Sequence, residues 1–235
     1  MDMSERLGAI IVAAGSGTRM GGVDKLFTEV AGRPLLAHSL AAFGRHGVNK
    51  IVVVLAGMNI KKQRHIVQRL WNDRYAIHYA AGGRRRQDSV RNGLEALGVC
   101  DFVFVHDGAR PLVTPELIER GLEAARETGA AVPGVRIADT VKEAGEDRLV
   151  VRTVDRSRLW AVQTPQVFRR DLLERAHREV TADATDDAAM VEELGVPVRV
   201  FEGDRWNTKV TVAADLEVVW GMLERMNLSA DMKAD

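Results

Sequence analysis

Ala9-Ile10-Ile11-Val12-Ala13-Ala14-Gly15-Ser16-Gly17-Thr18-Arg19-Met20-Gly21-Gly22 sets a short apolar run directly against a glycine-rich, basic turn. The run is too short for a helix and rich in β-branched residues, which suits a buried strand that stops at a loop. Glycines let the backbone approach a ligand closely and point successive N–H groups at it. Arg19 and, shortly after, Lys25 add mobile positive charge. That combination suits a triphosphate, but a flexible strand-to-helix connection with solvated cations would look the same. Two familiar phosphate loops do not fit. G-x-G-x-x-G needs glycine where Met20 stands, and Ala56-Gly57-Met58 replaces the acidic ribose clamp expected after the second strand. A P-loop needs G-K-[ST], whereas Gly22 is followed by Val23 and Lys25 by Leu26. A dinucleotide oxidoreductase and an ordinary P-loop ATPase are both disfavoured.

Moving outward, further Val- and Ile-rich runs alternate with amphipathic stretches. This predicts an α/β fold, a mostly parallel sheet with helices on both faces. Strands are expected at residues 9–13, 51–55, 77–80, 102–106 and 130–133, and helices at about 35–45, 61–71, 89–97 and 115–127. Thr114-Pro115-Glu116 reads as an N-cap, a first-turn proline and an acid at the positive helix end. Two β-prone segments flank the polar turn 144–148 and predict a hairpin, a β-arm over about 136–158 that projects from the core. Asp171 and Glu174 suggest a capping box for a helix through Val180. Residues 213–226 read as a closing amphipathic helix, with fraying expected from Asn227. No repeat or linker marks a second unit, so residues 1–235 are expected to form a single domain.

Lys plus Arg equals Asp plus Glu at 33 each, so no global basic field exists to hold nucleic acid or an anionic membrane. The opening MDMSERLGAIIVAAG has too short an apolar run to span a bilayer and an acid where a signal peptide is basic, so a cytoplasmic protein is expected. Cys100 is the single cysteine, which excludes an intrachain disulfide and fits a buried inert thiol.

Polar clusters sit at the ends of apolar runs, where an open α/β sheet places its ligands. Gly82-Gly83-Arg84-Arg85-Arg86-Gln87-Asp88-Ser89 follows the third strand, with Asp88 or Ser89 able to cap the next helix. Asp107-Gly108-Ala109-Arg110 places a carboxylate at a strand end and a guanidinium three residues on. That pair suits a metal-bound phosphate or a substrate hydroxyl, and it also suits a plain internal ion pair. His106 reads as a satisfied histidine, and Thr185-Asp186-Asp187 as a helix N-cap with first-turn acids. No G-x-S-x-G elbow or H-E-x-x-H helix supports a serine-hydrolase or zinc-protease reading.

A-A-G-S-G-T-R-M-G, H-D-G-A-R-P, V-D-R at 154–156, Q-T-P-Q at 163–166 and N-T-K-V-T at 207–211 together resemble the 2-C-methyl-D-erythritol 4-phosphate cytidylyltransferase family over residues from about 9 to 226. The resemblance implies a Rossmann-like α/β core with a β-arm that builds a homodimer. It also implies transfer of CMP from CTP to a polyol phosphate, with Mg²⁺ or another divalent cation, in non-mevalonate isoprenoid synthesis. On the same footing, Ala13, Ala14, Gly15, Ser16, Gly17 and Thr18 would form the nucleotide loop, with Gly82 and Ser89 holding the cytidine. Arg19 and Lys25 would stabilise the transition state. Asp107, Arg110, Thr140 and Thr164 would surround the polyol phosphate, Asp107 would also serve the metal, and Lys209 with Arg156 of the partner would aim the nucleophile. Three positions depart from the family pattern: Asp24-Lys25-Leu26 for P-K-Q, Arg84 where an acid is usual, and Trp206 where an aspartate is often found. The last leaves a second carboxylate either absent or supplied by Asp204. A ribitol 5-phosphate cytidylyltransferase and a catalytically silent nucleotide-binding homologue remain as alternatives.

Overall fold

The computed structural model describes residues 5–15, 25–57, 60–70 and 77–231. Each expected strand and helix of the first half forms, with ends shifted by up to three residues. β1 (Leu7–Ala13), β4 (Lys50–Leu55), β5 (Ile77–Ala81) and β6 (Phe102–Asp107) lie parallel, in the order β6-β1-β4-β5. Beyond β6 the sheet continues through β11 (Gln166–Arg169), antiparallel to its neighbours, to β7 (Ala130–Arg136). β7 then pairs with both β10 (Trp160–Val162) and β12 (Arg199–Glu202). A minor ribbon, β2 (Glu29–Val30) with β3 (Arg33–Pro34), precedes the first helix.

Alternate residues of the central strands feed two separate cores, as side chains of period two must. Ala9, Ile11, Val53 and Phe104 pack against α1 (Leu35–His46), α4 (Pro115–Thr128) and α7 (Ala213–Asp231). Ile10, Val52, Val54 and Val105 pack on the opposite face against α3 (Arg86–Leu97), α5 (Arg170–Glu179) and α6 (Asp187–Glu193). α2 (Ile60–Leu70) joins the first core through Val67. Fully burying a Leu or Phe such as Leu40 or Phe43 contributes about 1.5–3 kcal/mol, so the sheet is held from both sides. α1 ends at Gly47, whose φ of 90° is the left-handed conformation that lets its N–H reach back to the Phe43 and Gly44 carbonyls.

Local capping follows the sequence in some places and departs from it in others. Thr114 accepts from the Leu117 N–H with Pro115 in the first turn, as expected. The expected cap at Asp88 or Ser89 is displaced, because α3 already begins at Arg86. Asp88 instead sits within the first turn and accepts from the Arg85 N–H at 3.1 Å. The capping box expected of Asp171 and Glu174 does not form; these acids pair with Arg169 and Arg170, whose guanidinium groups are stronger partners than backbone amides. α7 continues past Met226 to Asp231 where fraying was expected.

β8 (Val141–Ala144) and β9 (Val150–Val154) form the expected hairpin as a sheet of their own. A 3₁₀ turn, Arg156–Arg158, returns the chain to β10, with the Asp155 carboxylate accepting from the Ser157 N–H.

Candidate active site

The carboxyl ends of β1, β5 and β6 converge on one cavity of about 530 Å³, bounded by Ala14, Gly15, Lys25, Arg84, Asp107 and Lys209 among others. An open parallel sheet presents its loops to a ligand at this edge. Gly82 shapes one wall from behind: a Cβ there would lie 2.3 Å from the Ala14 Cβ, so only glycine allows the β5 and β1 loops to touch. Ser89 is buried, and its hydroxyl accepts from the Gly83 N–H at 2.9 Å while donating to the Arg85 carbonyl at 3.1 Å. Its hydroxyl therefore holds the glycine–arginine turn against the cavity.

Asp107 is the negative centre. Lys209 Nζ lies 2.8 Å from its Oδ2, and Arg86 Nε lies 3.8 Å from its Oδ1. Burial alone would raise the carboxyl's pKa, but Lys209 and then Arg86 outweigh it and hold the group below the usual carboxylate range. The expected Asp107–Arg110 pair is the loosest of the set at 4.0 Å. Arg110 turns to the Asn207 carbonyl at 2.7 Å instead, and burial lowers its pKa. Arg110 Nε is buried without a hydrogen-bond partner among the described residues.

Behind Asp107 lies a fixed chain of hydrogen bonds. The Asp107 N–H donates to Thr164 Oγ1 at 3.0 Å, and that hydroxyl meets His106 Nδ1 at 3.1 Å. His106 Nε2 lies 3.1 Å from the Arg110 carbonyl, which can only accept, so Nε2 carries the proton and Nδ1 accepts from Thr164. Burial pulls the His106 pKa down to about 4, which keeps the ring neutral and this tautomer in place at neutral pH. His106 is thus the satisfied histidine that the sequence suggested, and Thr164 braces Asp107 from within the protein.

The segment around Lys209 is set by buried amides. Asn207 is fully buried and donates to the Thr164 carbonyl at 2.8 Å, and the Val210 N–H reaches the Ala109 carbonyl at 2.9 Å. Lys25 Nζ donates to the Val210 carbonyl at 2.7 Å. Both lysines are thereby tied to one loop at the cavity wall. Asp204 is committed to that loop, its Oδ1 accepting from the Trp206 N–H at 2.8 Å.

The remaining expected residues divide clearly. Ser16, Gly17, Thr18 and Arg19 lie outside the described residues, as does Asp24. Ala13 ends β1 just behind the cavity. Thr140 and Arg156 are exposed at the arm and do not line this chain's own cavity. Arg86 is the residue the sequence left unassigned. It lines the cavity between Asp107 and Asp187, and its position as the third of three consecutive arginines was the available signal. Of its neighbours, Arg85 is committed to Asp88 and Asp183, while Arg84 is exposed at the cavity with no ion pair or hydrogen bond among the described residues.

The family model for 2-C-methyl-D-erythritol 4-phosphate cytidylyltransferase, IspD, matches residues 7–225. The chain belongs to that family. A protein of this name from Dehalococcoides mccartyi is 46% identical over 217 residues, covering 92% of this chain and 95% of the relative. Another from Geobacillus thermodenitrificans is 43% identical over 88% of this chain and 92% of its own length. The fold is shared with the crystal structure of 4-diphosphocytidyl-2C-methyl-D-erythritol synthase from Anaerococcus prevotii, with a TM-score of 0.81 at 29% identity over 94% of this chain and 99% of that one. The cytidylyltransferase structure from Thermus thermophilus gives 0.75 at 33% identity, covering 92% and 98%. Family membership favours a methylerythritol phosphate acceptor over ribitol phosphate and an active enzyme over a silent homologue.

The divalent cation that the sequence resemblance implies would need a carboxylate at this cavity, and the one present there is Asp107. Among the described residues no cluster of three or more His, Cys, Asp or Glu side chains forms a self-sufficient metal cage. Mg²⁺ on a nucleoside triphosphate takes most of its ligands from phosphate and water, with one or two carboxylates. Asp107 Oδ1, without a hydrogen bond among the described residues, fits that requirement.

Proposed function

We propose that this cavity carries out the reaction for which the family is named, the transfer of CMP from CTP to 2-C-methyl-D-erythritol 4-phosphate with release of pyrophosphate. The observation that carries the reading is the convergence of Lys25, Lys209 and Asp107 on one cavity beside the glycine-rich end of β1. A phosphate monoester is largely dianionic at neutral pH, its second pKa being about 6, so the acceptor needs little help from a general base. Its oxygen attacks the α-phosphorus of CTP in line and pyrophosphate leaves. The barrier is chiefly electrostatic, and preorganised cations lower it. In this reading, backbone amides of Ala14 and Gly15 with Ser16, Gly17 and Thr18 cradle the phosphates. Arg19 and Lys25 offset charge on the transferring group. Lys209 and Arg110 orient the acceptor phosphate, Gly82 and Ser89 shape the cytidine pocket, and Thr164 supports Asp107 from behind. Asp107 Oδ1 would hold Mg²⁺, which neutralises phosphate charge and draws electron density from the leaving group.

The arm supplies the rest. Leu149, Val150 and Val151 are 69%, 60% and 67% exposed, and an isolated two-stranded hairpin is marginally stable in water. A homodimer in which each arm packs on the other subunit would bury these side chains and bring Arg156 and Thr140 to the partner's cavity. Among the described residues no helix is long and apolar enough to cross a membrane. We read residues 1–235 as one nucleotidyltransferase domain, and a cytoplasmic location suits its charged substrates.

The test is pyrophosphate release measured with each nucleoside triphosphate and Mg²⁺, adding methylerythritol phosphate, ribitol phosphate or no acceptor. Release with CTP and methylerythritol phosphate alone is expected. Equal release with ribitol phosphate, or none with either acceptor, would overturn the assignment.

A further inference from the structure

Four polar side chains, His177, Asp187, Arg86 and Asp107, run in sequence from α5 to the cavity. Asp187, at the start of α6, is fully buried. His177 of α5 takes one of its oxygens, Nε2 to Oδ1 at 3.1 Å, and Arg86 of α3 takes the other, Nη1 to Oδ2 at 2.5 Å. The same guanidinium then faces Asp107 with Nε at 3.8 Å from Oδ1. Neighbouring contacts fasten this interface: Gln87 holds the Ala182 carbonyl and the Ala184 N–H, while Arg85 reaches Asp183.

Helix capping does not require Asp187, because Asp186 already caps α6 by accepting from the Ala189 N–H at 2.9 Å. Net stability is a weak reason for it, although removing Asp187 alone would leave the Arg86 charge without its closest partner. Burying an ion pair costs several kcal/mol per ion in lost hydration, and apolar residues of similar volume often do as well or better. What the pair does accomplish is geometric. At 3.8 Å the Arg86–Asp107 approach is outside hydrogen-bond range, so Asp107 feels a positive charge while its Oδ1 has no hydrogen bond among the described residues. Released from Asp187, Arg86 needs to move only about 1 Å to hydrogen-bond Oδ1 and occupy it.

We propose that Asp187 is a positioning residue for the transfer reaction: it holds Arg86 back so that Asp107 keeps one oxygen open toward the cavity. This rests on the reading of Asp107 as a ligand-contacting group. Asp187 itself touches no substrate.

The experiment is a double-mutant cycle on the full-length protein with Asp187→Asn, Arg86→Gln and the double variant. It is read by kcat, by KM for CTP and by thermal unfolding, with a crystal structure of Asp187→Asn. Asp187→Asn is expected to lower kcat about tenfold or more, to move KM for CTP less than about threefold, and to bring Arg86 Nε within hydrogen-bond range of Asp107 Oδ1. In the Arg86→Gln background the same substitution is expected to change kcat less than about twofold, because its effect travels through Arg86. Effects that multiply independently, a wild-type kcat in Asp187→Asn, or an unmoved Arg86 would overturn the proposal. Should Asp187→Asn fail to fold, His177→Gln loosens Asp187 from its other side and is read in the same cycle, with the same dependence on Arg86 required. The wild-type protein in the same assay keeps the two levels apart. No transfer there refutes the functional reading, whereas normal transfer with an additive cycle refutes only the role of Asp187.

Discussion

Asp107 at the cavity is flanked by Lys209 and Arg86, Arg86 is anchored by a buried Asp187, and the turn behind is closed by Thr164 and a neutral His106. The arm offers the opposite case. Its ion pair, Arg152 to Glu143 at 2.5 Å, runs between its own two strands, both partners are largely exposed, and its apolar residues face solvent. Exposed pairs contribute about 0–1 kcal/mol, so the arm has little of its own to hold it. The cavity has the form of a preorganised electrostatic site, and the arm that of an exposed apolar ribbon.

The largest expected effect breaks the cavity. Lys25→Ala should lower kcat on the order of 10²–10³-fold, the usual cost of deleting one preorganised transition-state contact. Its thermal midpoint should move by no more than a few degrees, because a part-buried side-chain hydrogen bond such as that to Val210 is worth about 1 kcal/mol and the attraction to the part-exposed Asp215 adds little. Near wild-type turnover would remove Lys25 from the chemistry.

The next test concerns the bracing behind Asp107. His106 has a pKa lowered by burial from 6.5 to about 4, so it stays neutral in the folded protein while the unfolded chain protonates below 6.5. The unfolded state therefore binds more protons between pH 4 and 6.5, and stability present above that window is lost as pH falls through it. The slope is about 1.4 kcal/mol per pH unit and the total about 3 kcal/mol. Urea unfolding at pH 7, 5.5 and 4 checks this, and His106→Gln should remove the largest part of the slope. A profile identical to wild type in that variant would rule out His106 as its source.

The smallest effect, and the one that sharpens the contrast, lies on the arm. Leu149→Asp with Val151→Asp should abolish self-association in light scattering and lower activity about tenfold, while the thermal stability of the core changes little. A monomeric variant with full activity would show that Arg156 serves no partner.

Much of this contrast was visible in the residues themselves. Valine and isoleucine runs marked β1, β4, β5, β6 and β7, and Thr114-Pro115 marked the start of α4, because period and capping are local properties. Asp107 could be named because it ends an apolar run and Lys25 because it follows the glycine-rich turn, while Lys209 was named through the motif that resembles the family's. Arg86 and Asp187 could not be joined in this way. Asp187 looked like an ordinary first-turn acid, and nothing nearby in sequence announces that it is fully buried against two other helices. Thr164 illustrates the same limit: its motif marked it as functional, but only its place behind Asp107 shows that its hydroxyl faces inward.

The sequence alone determined the alternation of strands and helices, the glycine-bearing turn after β1 and the family to which the chain belongs, since these depend on neighbours within a few residues and on motif order. Tertiary structure alone decided which charges meet. The distances from Arg86 to Asp107 and from Lys209 to Asp107 depend on how separate strands and helices pack, and Coulomb energy and desolvation change steeply over those few ångströms.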